Sequence, residues 1–118
     1  MTQSGVKPPG IKPLLYGYMR VDQDAREGDL DQLELTFRFV AEQEGFCLAT
    51  TFYEEDDGRH CAFVELVEEL KRSEARHVIV PTMEHIARHR ILRDSLLDQL
   101  QEETGAQVMS LDRYGNAG

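Results

Sequence analysis

The stretch Tyr16–Asp24, YGYMRVDQD, sets a guanidinium and a carboxylate at the end of an apolar run: Arg20 and, two residues on, Asp22. In an extended chain that spacing puts both side chains on one face. The pair can hold an anion through its cation, but it reads first as part of an ion-pair network of Arg20, Asp22, Glu54, Glu84 and Arg88 that ties three loops together. A second polar group is Glu54–Asp57, EEDD, followed by Gly58, Arg59 and His60. Carboxylate oxygens suit a hard cation, but the DxDxDG ligand spacing is absent, which favours a solvated acidic loop. A third group, within Thr82–His89, contains Glu84, His85 and Arg88. His85 and His89 stand four apart, a spacing that lets two imidazoles on one helix share a metal. No HExxH accompanies them, and a polar helix start is the competing reading. Cys61 falls near a helix start, where a thiolate is favoured, but no base is evident beside it and it reads as a buried, inert thiol. Cys47 and Cys61 form no CxxC and read as reduced thiols of a cytoplasmic protein.

These residues need a scaffold to bring them together. Leu14–Val21 predicts a first strand. Gly28–Gly45 predicts a helix, with Leu30, Leu33, Phe37 and Val40 at helical spacing, Asp29 as N-cap and Gly45 as stop. Phe46–Tyr53 is rich in β-branched and aromatic residues and predicts a second strand. Cys61–Arg72 predicts a second helix, with Phe63, Leu66, Val67 and Leu70 on one stripe. His77–Val80 is a short apolar strand of the kind that helices cover on both faces. A third helix is expected within His85–Thr104, with Leu92, Leu96 and Leu100 facing the sheet and Ile91 and Leu97 pointing elsewhere. Ala106–Leu111 predicts a fourth strand. The alternation implies an α/β fold: three layers, a mostly parallel four-stranded sheet, helices on both faces. Ligands in such folds sit beyond the carboxyl ends of the strands, where the three polar groups fall.

Residues 1–13, rich in Pro and Gly, are expected to be a flexible lead-in, residues 14–112 one α/β domain, and residues 113–118 a tail. No stretch reaches the roughly 20 apolar residues of a membrane helix, and no membrane association is expected. Thirteen Lys and Arg against 22 Asp and Glu give a net charge of −9. Nucleic-acid binding rests on cations that displace phosphate counterions, so direct DNA binding is expected to be weak or absent.

Together, YMRVD (Tyr18–Asp22), FYEEDDG (Phe52–Gly58), FVELVEELKRSEARHVIV (Phe63–Val80), MEHIAR (Met83–Arg88) and QVMSLD (Gln107–Asp112) resemble the catalytic domain of the serine recombinases, the resolvase and invertase family. The resemblance covers about residues 14–112. It implies the resolvase catalytic-domain fold. In the family, a serine at the end of the first strand attacks a DNA phosphodiester while arginines neutralise the phosphate. Here the family's Y-x-R-V-S reads YMRVD, so Asp22 stands at the nucleophile position and Arg20 is kept. The family's L-D-R-L-x-R reads MEHIAR: Glu84 takes the place of the acid, His85 that of an arginine, and Arg88 is kept. His60 aligns with the arginine that starts the second helix, with Arg59 adjacent, and Asp57 replaces the serine before Gly58. These exchanges remove about two positive charges and add two negative ones, given a histidine pKa near ~6.5.

On that basis Arg20, Asp22, Glu54, Asp57, His60, Glu84, His85 and Arg88 are vestigial site positions. The expectation is a catalytically inactive recombinase-like domain serving as a regulatory or protein-binding module, with a protein partner or self-association and with no cofactor or metal. The family's long dimerisation helix and separate DNA-binding domain are not expected in a chain ending at Gly118. Two alternatives remain. The pocket could do metal-assisted phosphoester chemistry with Asp22, Glu54, Glu84 and His85. The domain could also be a DNA-associated accessory to an intact recombinase or another DNA-binding partner. The broad apolar surface of the third helix is either a partner surface or buried in the domain.

Overall fold

The computed structural model describes residues 12–22, 24–55 and 59–114. Four strands, β1 (Leu14–Val21), β2 (Cys47–Glu55), β3 (His77–Val80) and β4 (Gln107–Ser110), form one sheet in the order β2-β1-β3-β4, and every pairing is parallel. The helices are α1 (Glu27–Gln43), α2 (Cys61–Ser73), α3 (Arg90–Thr104) and a four-residue turn, α4 (Leu111–Tyr114). The expected three-layer α/β architecture is therefore present, with the sheet wholly parallel.

The two faces of β1 carry different cores, because alternate residues point opposite ways. Tyr16 and Tyr18 face α2 and pack with Phe63, Leu66, Val67 and Leu70 from it, and with Leu100 from α3. Leu15 and Met19 face α1 and pack with Phe37, Val40 and Ala41. So α1 lies on one side of the sheet, and α2 and α3 lie on the other. Gly17 permits the close approach of α1: a Cβ there would sit 2.7 Å from Thr51 Oγ1 and 2.8 Å from Phe37 Cδ2. β2 carries an irregularity opposite Leu15 and Tyr16, where the register shifts by one residue.

Helix ends follow local chemistry. Gly45 (φ 85) closes α1, as its sequence predicts, with Gly45 N–H donating to Glu42 O and Phe46 N–H to Ala41 O, the paired bonds of a Schellman stop. The N-cap of α1 is Arg26 rather than Asp29, and Asp29 sits in the first turn beside Glu27, where acids favour the helix dipole. The expected third helix is two pieces. Met83–His85 forms a 3-10 turn, Ile86 and Ala87 are buried, and α3 starts after His89. This later start changes which residues face inward. Leu100 is buried, and Leu96 and Leu97 pack against the core. Leu92 is 41% exposed and Ile91 74%, so Leu92 does not face the sheet and Leu97 does. The helical turn α4 starts at Leu111, before the expected tail, and takes in its first two residues. Among the described residues, no helix is long and apolar enough to cross a membrane.

Candidate functional site

A cleft of about 210 Å³ opens at the carboxyl ends of β1 and β3, lined by Arg20, Asp22, Thr82, Glu84, His85 and Arg88. Five of these are sequence-predicted positions. They converge because β1 and β3 are neighbours, so the loops leaving both strands meet there. Thr82 is the member that sequence reasoning passed over. Pro81 ends β3, and the residue after it lands at the cleft wall, a signal available in the sequence.

Arg20 acts as a clasp. Its guanidinium donates to Arg59 O and to Ile86 O, both at 3.3 Å, and so bridges the loops that follow β2 and β3. Its backbone N–H donates to Nδ1 of His85 at 2.9 Å. An Nδ1 that accepts a hydrogen bond carries no proton, so a neutral His85 carries it on Nε2. The expected ion pair between Arg20 and Asp22 is thus a correction: main-chain carbonyls hold this guanidinium. The Asp22 carboxylate instead accepts the Asp24 N–H at 3.0 Å, and Asp22 O accepts the Ala25 N–H at 3.1 Å. Asp22 therefore shapes the turn that leaves β1, as Asx residues do.

Glu54 lies outside this cleft. It is 3% exposed, accepts the Tyr18 hydroxyl at 2.9 Å, and accepts the backbone N–H groups of Ala62 (3.1 Å) and Phe63 (3.0 Å). Those N–H groups belong to the first turn of α2, where no side chain of the helix's own N-cap, His60, forms a cap bond. A carboxylate from β2 thus caps α2, satisfying donors that an isolated helix leaves open and complementing its dipole. Burial, with the Glu54 bond, pushes the Tyr18 hydroxyl far above its usual range and keeps it a proton donor. With its oxygens committed in this way, Glu54 is a structural acid.

The remaining positions separate. His60 is half-buried, and its Nε2 is buried with no hydrogen-bond partner among the described residues. Asp56 and Asp57 lie outside the described residues, while Glu54 and Glu55 belong to β2. His85 closes the 3-10 turn while His89 is the N-cap of α3, so the two do not share a helix as expected. Cys47 and Cys61 are free and exposed, which corrects the buried reading of Cys61. Among the described residues, no three His, Cys, Asp or Glu side chains gather as a metal site.

The fold defined by this parallel sheet and its helices is that of a serine-recombinase catalytic domain. A solved structure that shares it is the N-terminal catalytic domain of TP901-1 integrase, with a TM-score of 0.65 and 17% sequence identity, over 85% of this chain and 78% of that one. At that identity the likeness is one of fold. No family model matches the chain, and no curated protein matches it.

Proposed function

We propose that this is a catalytically inactive serine-recombinase-like domain of the cytoplasm, retained as a protein-binding, regulatory module. The observation that carries this reading is the state of Asp22. At the position where the resemblance calls for a nucleophilic hydroxyl stands a carboxylate whose oxygen accepts the Asp24 N–H. An approaching phosphodiester would meet Asp22 and Glu84 in the same cleft as Arg20 and Arg88, and like charge opposes its entry. Thr82 supplies a hydroxyl to the cleft, but the neighbouring imidazole nitrogen, Nδ1 of His85, already accepts the Arg20 N–H and is not available as its base. The metal-assisted alternative loses one of its four residues, since Glu54 is committed to α2 and Tyr18.

The test is incubation of the purified chain with supercoiled plasmid, followed by a denaturing gel that retains covalent protein–DNA species. Neither nicking nor an adduct is expected. A covalent adduct that disappears in Asp22→Asn, or in Thr82→Val, overturns the proposal. A pull-down with and without nuclease separates a protein-binding module from an accessory held to DNA by its partner.

A further inference from the structure

Two exposed apolar patches lie on opposite sides of the sheet and carry opposite charge. On α1, Leu35 and Phe39 are each 60% exposed and point away from the buried stripe of Phe37, Val40 and Ala41. Asp31, one turn before Leu35, and Glu42, one turn after Phe39, lie on the same outer face and are exposed. The helix carries five acids (Glu27, Asp29, Asp31, Glu34, Glu42) against Arg38, which pairs with Glu34 at 3.6 Å. On the other side of the sheet, the start of α3 presents Arg88, His89, Arg90, Ile91 and Leu92, all exposed, with Ile91 at 74%. Arg93 is half-buried and donates to Ala87 O, and Glu84 and Asp94, both exposed, flank this stretch in the chain.

In a chain of net charge −9, a cationic and apolar strip is a local exception, and its complement is present on the same molecule. We infer that the chain associates with itself head to tail, the Leu35–Phe39 face of α1 on one copy receiving the Arg90–Ile91 edge of α3 on the next. Apolar anchors rimmed by complementary charge are the usual anatomy of a protein interface. Because the halves sit on opposite faces of the sheet, the contact is heterologous: it propagates into a ring or an open chain, not a closed two-fold dimer. This inference is independent of whether the cleft is catalytic.

Sedimentation velocity of the purified full chain over a roughly hundredfold concentration range reads the association. The mean mass should rise with concentration, and added salt should weaken the rise. Phe39→Asp and Ile91→Glu, both at exposed positions, should each abolish it while leaving the circular dichroism and melting of the monomer unchanged. An equimolar mixture of the two variants retains one intact interface and should stop at dimers. Leu35→Asp and Arg90→Glu, which leave like charges on the two altered halves, give a second pair with the same expected pattern, should a variant of the first pair misfold. A wild-type chain that stays monomeric throughout, a single variant that still assembles with itself, or a mixture that stays monomeric overturns the inference.

Discussion

Glu54 and Asp22 both stand at the carboxyl ends of neighbouring strands, yet their surroundings assign them different work. Glu54, next to last in β2, lies inside the protein, sealed by a tyrosine hydroxyl and two helix N–H groups. Asp22, just past β1, is exposed, and its carboxylate accepts the Asp24 N–H in a turn beside an open cleft. The buried acid is committed to architecture, and the exposed one is left to set the charge of the cleft. An acid at the mouth of a strand is therefore not by itself a functional residue. What decides is whether its lone pairs are already used.

The largest test of that contrast is stability. Glu54→Ala strands a buried hydroxyl and two helix donors, and should cost about 3 kcal/mol in urea denaturation, since each unsatisfied buried group costs roughly 1–3 kcal/mol. Tyr18→Phe removes one of those bonds and should cost about 1 kcal/mol. Loss of less than about 0.5 kcal/mol in Glu54→Ala, the range typical of surface substitutions, would dissolve the comparison.

Asp22→Asn should sharpen it from the other side. Stability should stay within about 0.5 kcal/mol of wild type, because the residue is exposed and the amide oxygen can still accept the Asp24 N–H. Removing the negative charge should raise the affinity of the cleft for inorganic phosphate by about fivefold, measured by titration calorimetry at low salt. Equal phosphate binding in the two proteins would place Asp22 outside the electrostatic reach of the cleft.

The smallest effect lies at the opposite end of the sheet. His77, at the start of β3, packs on Phe46 with ring centroids 4.4 Å apart, and burial holds its pKa below the usual histidine value of 6.5. The unfolded chain then takes up a proton before the folded one as the pH falls. The contribution of His77 to stability is complete above pH 6.5 and declines below it, until the folded form is protonated too. Thermal melts between pH 7 and pH 5 should show a decline that His77→Gln reduces.

Much of this was legible in the sequence. β1 and β3 fall on their predicted residues, because largely apolar runs bounded by polar loops admit one reading. The convergence of Arg20, Asp22, Glu84, His85 and Arg88 followed from topology alone. The break between His85 and Arg90 was not legible: Ile86 and Leu92 fit a continuous helix as well as a 3-10 turn followed by a new one. The burial of Ile86 and Ala87 against the sheet decides between them. The role of Glu54 was hidden for a related reason. Its partners Tyr18, Ala62 and Phe63 come from other elements, and local sequence cannot show a cap supplied by a neighbouring strand.

Arg20 fastens the loops after β2 and β3 through the carbonyls of Arg59 and Ile86, and every residue type has a carbonyl. The clasp is thus indifferent to which side chains those loops carry. Over evolutionary time the rim of the cleft is free to change its charge and its partners while the strand ends stay in place, provided the one guanidinium remains.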